Sequence, residues 1–247
     1  MQEILVLYHG SDHKLPKPEY GFGKQDNDYG SGFYTTMDIQ KAKEWAAVNG
    51  TDAAYVNKYT INAEGLKVVD LDEYGTLSWI AEIVSNRGAR GEAAMILGSK
   101  LVKKYKVDLS DADIVIGYRA DDSYSDIIDA FLQNQLNIDE VDRLFRKGDT
   151  SKQCFIKSET AFNRLQFEGA EPVNLPGFTN ESEVRARTEV SQFLRKRSNQ
   201  ILLNNFHPYG ITAIEAATNQ YQYDKEYQYY TNMENELELE EEEYEHE

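Results

Sequence analysis

Two short motifs near the start of the chain hold the residue types on which chemistry can be built. Tyr8-His9-Gly10-Ser11 closes an apolar run, Ile4 to Leu7, and Tyr29-Gly30-Ser31-Gly32-Phe33-Tyr34-Thr35-Thr36 follows after a polar stretch. A neutral histidine offers one ring donor and one ring acceptor. Glycine lets a ligand come close to the main chain, whose N–H and C=O can read an amide. An aromatic ring adds a flat face for stacking. Together these groups suit a planar, amide-bearing ring carried on a ribose, and the nicotinamide end of NAD is the candidate they point to.

Several elements must position these groups. The apolar run predicts a first strand over residues 1–8. Residues 12–32 read as a long polar loop, and such loops in compact domains are usually functional or disordered. The second motif is expected to lead directly into a helix capped by Asp38 and running through Ala47, with Ile39, Ala42, Trp45 and Ala46 on one face. Strands are predicted at Tyr55–Ile61, Leu66–Leu71, Ile114–Tyr118, Gln153–Lys157 and Leu165–Phe167. Helices are predicted at Thr76–Asn86, Gly91–Tyr105, Tyr124–Gln135 and Ile138–Arg146, the last capped by Asn137, and a short one follows a Ser158 cap. Pro172–Gly177 reads as a linker. Beyond it a long basic, amphipathic helix spans Asn180–Asn205, with Val184, Val190, Phe193, Leu194, Ile201 and Leu202. Strands and helices mix without strict βαβ alternation, which argues for an α+β fold.

Composition narrows the classes. Hydrophobic residues make up 40% and charged residues 28% of 247, ordinary values for a globular protein. No apolar run nears the roughly 20 residues of a membrane span. The N-terminus lacks the basic start and long apolar stretch of a signal peptide, so a cytoplasmic location without a membrane partner is expected. The single cysteine, Cys154, excludes an internal disulfide and a Cys-rich zinc site; in the run Gln153-Cys154-Phe155-Ile156 it reads as a buried, inert thiol, and no metal is expected. The net charge is −17, but nine glutamates without one lysine, arginine or aspartate crowd positions 231–247. The rest is only moderately acidic, which disfavours generic capture of nucleic acid without excluding a local basic patch. The glycines at 21, 23, 30 and 32 do not form a dinucleotide-binding G-x-G-x-x-G, and no P-loop, H-E-x-x-H or G-x-S-x-G occurs. His13 and His207 show no partner pattern.

In its two motifs the chain resembles the ADP-ribosyltransferase superfamily, in the diphtheria-toxin and poly(ADP-ribose) polymerase-like branch. Within that branch it is similar to a small bacterial group of domains of unknown function often associated with toxin–antitoxin pairs. The resemblance covers roughly residues 4–170. It implies a split mixed sheet with surrounding helices, an NAD-binding domain over residues 1–170, a linker and helical extension over 171–218, and a tyrosine- and glutamate-rich tail over 219–247. It also implies roles. His9 holds a ribose hydroxyl, Gly10 offers its backbone to the carboxamide, and Ser11 and Gly32 are counted with them among the NAD-binding residues. Gly32 shapes the turn before Tyr34, and Tyr34 and Trp45 sandwich the nicotinamide ring, although Trp45 also reads as a core residue of its helix. Ala42 stands where some relatives have a serine that bonds the carboxamide. Gln153 occupies the strand position of the family's glutamate, where a neutral amide can hold a ribose hydroxyl but adds no negative charge near a developing cation. Arg119, in Tyr118-Arg119-Ala120-Asp121-Asp122, is either a pyrophosphate or target contact or a strand-end ion pair with Asp121 or Asp122. Glu159, the nearest carboxylate downstream, fits a cap of its short helix.

The resemblance thus implies mono-ADP-ribosyl transfer from NAD, a glycosyltransferase reaction with His9, Tyr34 and Gln153 at its centre, onto a macromolecular acceptor, in the first place a protein. Three other readings stay open. One is an NAD- or ADP-ribose-binding module without transfer. Another is a toxin-like enzyme modifying a nucleic-acid base. The third is an interaction protein whose basic helix and tail grip a partner such as an antitoxin; that helix can also bind the tail or dock on the main domain.

Overall fold

A computed structural model describes residues 4–22, 27–49, 53–119, 122–146, 152–174, 181–203 and 210–218. The glutamate tail, the tyrosine-dense segment, Gly23, Asp121 and His207 lie outside these residues.

The chain folds as α+β around a seven-stranded mixed sheet. Its strands are β1 (Ile4–Ser11), β2 (Phe33–Thr36), β3 (Tyr55–Asn62), β4 (Val68–Asp70), β5 (Ile114–Tyr118), β6 (Lys152–Ile156) and β7 (Gln166–Pro172), in the order β4-β5-β6-β2-β1-β3-β7. Every neighbouring pair is antiparallel except β4 and β5. β1 pairs with β3 along its whole length, from Ile4 opposite Asn62 to Ser11 opposite Tyr55. It meets β2 at one position only, Tyr8 opposite Thr36. Past Tyr8 the two central strands part, and the sheet opens there into two halves.

The helices are α1 (Ile39–Asn49), α2 (Thr76–Arg87), α3 (Glu92–Tyr105), α4 (Asp122–Leu132), α5 (Ile138–Arg146), α6 (Glu159–Phe162), α7 (Glu181–Leu202) and α8 (Ala213–Thr218), with a 3-10 turn at Leu71–Tyr74. Asp38 caps α1 by accepting from Gln40 N at 2.7 Å. Asn137 and Glu140 cap α5 reciprocally, each side chain accepting from the other's N–H at 2.8 and 3.0 Å. Ser158 Oγ accepts from Ala161 N and starts α6.

One core fills the side of the sheet that α2 to α5 cover. Trp79, Ile80, Leu101, Phe131, Phe145 and Phe155 are all but fully buried there. Each such side chain contributes roughly 1.5–3 kcal/mol on burial. A smaller cluster on the opposite side joins Leu7, Phe33, Tyr59, Ile61, Ile114, Cys154 and Ile156 under α6. Cys154 is fully buried, and burial pushes its thiol up to about 12.

Three departures from the sequence expectations have physical causes. The glycine turn does not lead directly into a helix, because Phe33–Thr36 first forms β2. Phe, Tyr and two Thr favour a pleated strand, but four residues are too short to show alternation, and the flanking glycines mask them. Second, β7 continues through Pro172, so the expected linker begins inside a strand; at the sheet edge a residue without an N–H costs no ladder bond. Third, α8 is absent from the sequence reading. Six residues carry too little periodicity, and α8 is held by the main body, with Lys104 Nζ and Tyr105 Oη both donating to Ala216 O at 2.8 Å. The long helix docks on the same helical layer. Its Arg197 is buried and binds Glu140 and Gln135 O, while Val184 and Leu202, expected on the apolar face, are exposed.

No helix among the described residues is long and apolar enough to cross a membrane.

Candidate functional site

The parting of β1 and β2 defines the candidate site. Opposed residues of antiparallel strands share a face, so Gly117, Gln153, Thr36 and Tyr8 form one row across β5, β6, β2 and β1. Tyr34, opposite Phe155, sits two residues along β2 on the same face. α1 lies on this face as well: a Cβ at Gly10 would overlap the carbonyl of Ala42. The structure therefore collects Gly10, Tyr34, Trp45 and Gln153 on one side of the central strands. His9 falls on the other side by alternation, its ring 4.7 Å from that of Phe33, and is joined to the set through the backbone.

That joint is specific. His9 Nδ1 lies 2.7 Å from Tyr34 O, across the opening between β1 and β2. A carbonyl only accepts, so the proton sits on Nδ1 and Nε2 keeps its lone pair. Burial pushes the His9 pKa down, against the smaller raising effect of this bond, which favours the neutral ring. Among the described residues Nε2 has no hydrogen-bond partner, and it is not one of the sealed, partnerless polar atoms, so its lone pair remains to be offered.

Tyr34 is clamped to its own loop. Its hydroxyl donates to Gly30 O at 2.7 Å and accepts from Tyr29 N at 3.0 Å. Burial raises its pKa well above the usual phenol range, so it stays protonated. The ring leans on Phe155, 4.8 Å between centroids. With the hydroxyl committed, the ring is what Tyr34 has to offer a ligand. Gly30 holds a φ of +82°, which a side chain would strain, and a Cβ at Gly32 would overlap the Phe155 ring. Both glycines serve the turn and its seat on β6.

Gln153 is 3% exposed. Its Nε2 donates to Asp28 Oδ2 at 2.6 Å and, at 3.3 Å, to Tyr118 O. Only an amide N–H can face a carboxylate, which fixes the amide with Oε1 turned away. Among the described residues Oε1 has no hydrogen-bond partner, and it is not one of the sealed, partnerless atoms, so it too remains as an acceptor. Asp28 is buried; its Oδ1 accepts from Arg87 Nη1 at 3.0 Å, and its main-chain oxygen from Asn86 Nδ2 at 3.0 Å. Next to it, Tyr29 Oη donates to Tyr118 O at 2.6 Å and accepts from Trp79 Nε1 at 2.9 Å, anchoring the loop in the larger core.

The remaining predicted residues are placed as follows. Trp45 is nearly buried on α1 and is not in ring contact with Tyr34; the Arg119 guanidinium lies 5.2 Å from its ring centroid. Arg119 thus caps an aromatic of this face, while the side chain of Asp122 and all of Asp121 lie outside the described residues. Ser11 Oγ donates to His13 O at 2.6 Å and accepts from Asn57 Nδ2 at 3.1 Å, which ties down the loop after β1. Among the described residues no group of three or more His, Cys, Asp or Glu is arranged to hold a metal.

Asp28, Arg87 and Asn57 did not emerge from the sequence. Asp28 is one of several polar residues in the loop before the glycine turn, and the only signal is that a loop of this length in a compact domain is often functional.

The family described as "Protein of unknown function (DUF3990)" matches residues 5–167. The chain belongs to this family. The matched segment runs from β1 into β7 and holds every residue of the site, whereas α7 and α8 lie beyond it. No curated protein and no solved structure matches the chain.

Proposed function

We propose that this member of the DUF3990 family is a mono-ADP-ribosyltransferase that uses NAD. What carries the reading is the adjacency of three strands. His9 on β1 bonds the backbone of Tyr34 on β2, and Gln153 on β6 stands opposite Thr36, two residues from Tyr34. This is the order of histidine, aromatic and strand-borne hydrogen-bonding residue that the resemblance to ADP-ribosyltransferases implies, in a sheet that opens between its central strands.

The open acceptors fit the co-substrate. His9 Nε2 and Gln153 Oε1 each lack a donor, and the ribose units of NAD are diols that supply O–H donors. Tyr34 offers a ring whose polar end is already satisfied, and Arg119 offers a cation near Trp45 for phosphate. In the reaction the bond from the anomeric carbon to nicotinamide breaks and nicotinamide leaves. A nucleophile on a macromolecular acceptor, in the first place a protein side chain, bonds that carbon and gives up its proton. His9, beside the opening between β1 and β2, and Gln153, on the face of Tyr34, orient hydroxyls of a ribose lodged at that opening, so catalysis rests on positioning and desolvation more than on acid–base groups. Because Gln153 is neutral, slow turnover and transfer of single units are expected.

That neutrality also favours a second reading, a module that binds NAD or ADP-ribose without transfer. Incubating the full chain with labelled NAD and a cell lysate separates the two. Label on a macromolecule, lost in His9→Ala, supports transfer; NAD binding without labelling supports the module. Unchanged NAD affinity in a folded Tyr34→Ala variant refutes the site for both.

A further inference from the structure

We propose that Asp28 is a positioning residue that acts on the reaction through Gln153; this rests on the NAD-cleaving reading above. A glutamine amide is nearly symmetrical in shape, and in a strand it has two orientations of similar fit. The carboxylate of Asp28, 2.6 Å from Nε2, accepts only one of them. It therefore turns Oε1 away from the carboxylate, where it can accept from a ribose hydroxyl. Asp28 is itself fixed: it is 7% exposed, its other oxygen is bound by Arg87, and its main-chain carbonyl by Asn86.

The same contact addresses the missing charge. A hydrogen bond to an ionised acceptor polarises the donor amide and moves electron density toward its carbonyl oxygen. The negative charge that a glutamate would place beside the anomeric carbon is thus present one hydrogen bond further back, shared between Asp28 and Gln153. Restoring a glutamate directly conflicts with this arrangement. Gln153→Glu alone sets two carboxylates within hydrogen-bond distance, where they cannot both ionise. Exchanging the two side chains, Asp28→Asn together with Gln153→Glu, returns one amide donor and one carboxylate to the pair.

The test measures nicotinamide release from NAD by the full chain as wild type, Asp28→Asn, Gln153→Glu and the double variant, with a thermal melt of each. The wild-type arm comes first: no release refutes the proposed function, and the role of Asp28 in it, whatever the variants do. With release established, Asp28→Asn is expected to lower kcat roughly tenfold or more while KM moves only a few-fold, as for a group felt mainly in the transition state. Gln153→Glu alone is expected to be slow at neutral pH and to recover as pH falls, when the pair shares a proton. The double variant is expected to regain most of kcat without that pH dependence. A folded Asp28→Asn variant with wild-type kcat overturns the proposal. So does a double variant that is unfolded or no faster than the slower single variant, and that comparison decides the matter if Asp28→Asn does not fold.

Discussion

Gly10→Ala separates two reasons for a glycine beside the histidine. The sequence reading gives Gly10 to the ligand, whose carboxamide would approach the bare backbone. The structure puts the backbone of α1 there instead: an added Cβ would overlap the carbonyl of Ala42 and crowd the amide nitrogen of Ala46. Neither obstacle is a side chain that can rotate away, so α1 must lift from β1 or the strand must bend. Overpacking of this sort costs about 1–3 kcal/mol, and with two backbone atoms in the way the upper end applies, about 3 kcal/mol. For a chain of this size that lowers the melting midpoint by about 6–12 °C. Gly65→Ala is the matching control, because a Cβ at Gly65 meets nothing within 4 Å and only its φ of +73° is strained, a cost of about 1–2 kcal/mol. Scanning calorimetry with NAD titrations on both variants checks the reasoning. Gly10→Ala should be clearly the less stable, and any loss of NAD affinity should come with that instability. A Gly10→Ala protein as stable as the Gly65 control, yet unable to bind NAD, would refute the packing argument and return the glycine to the ligand.

Three further outcomes follow from the geometry. Tyr34→Phe keeps the ring but strands Tyr29 N–H and Gly30 O, so chemical denaturation should show a loss of about 1–2 kcal/mol, with NAD affinity, measured by calorimetric titration, far better kept than in Tyr34→Ala. Burial lowers the His9 pKa below its ordinary 6.5, so as pH falls below 6.5 the unfolded chain takes up the proton first and the stability due to neutral His9 is progressively lost; the melting midpoint of wild type should drop toward that of His9→Asn in this range, and a constant difference between the two from about pH 7.5 to about pH 5 would count against a buried neutral ring. Arg197→Ala leaves Glu140 without its guanidinium partner and should cost about 3 kcal/mol, shifting one cooperative unfolding transition as a whole; a separate early transition would mean that α7 is not part of the main folding unit.

What was legible in the sequence is what local patterns encode. The caps at Asp38, Asn137 and Ser158, the strands at β3, β5 and β6, and helices α2, α3 and α5 follow from side chains that act on their own segment or from periodicity over many residues. The pairing of Tyr8-His9-Gly10 with the Gly30–Tyr34 turn was legible because each motif is compact, and the structure does join them, through His9 and the Tyr34 carbonyl. β2 and α8 were not legible, since both are too short to show a period and are specified by the elements beside them.

The least legible part is the one on which the proposed chemistry turns. Nothing local distinguishes Asp28 from its polar neighbours, and Gln153, alone, reads as a family glutamate that lost its charge. Only the sheet order brings them together: β6 lies beside β2, and the loop that feeds β2 carries Asp28 back over Gln153. A single-position comparison scores the amide and overlooks the carboxylate 125 residues earlier to which its Nε2 donates. Gly10 and Gly32 also have a packing reason for their bare α-carbons, since an added Cβ would overlap α1 at the first and Phe155 at the second. Here the glycines report the packing that shapes the site, while His9 Nε2 and Gln153 Oε1 are the acceptors on which the proposed binding of NAD rests.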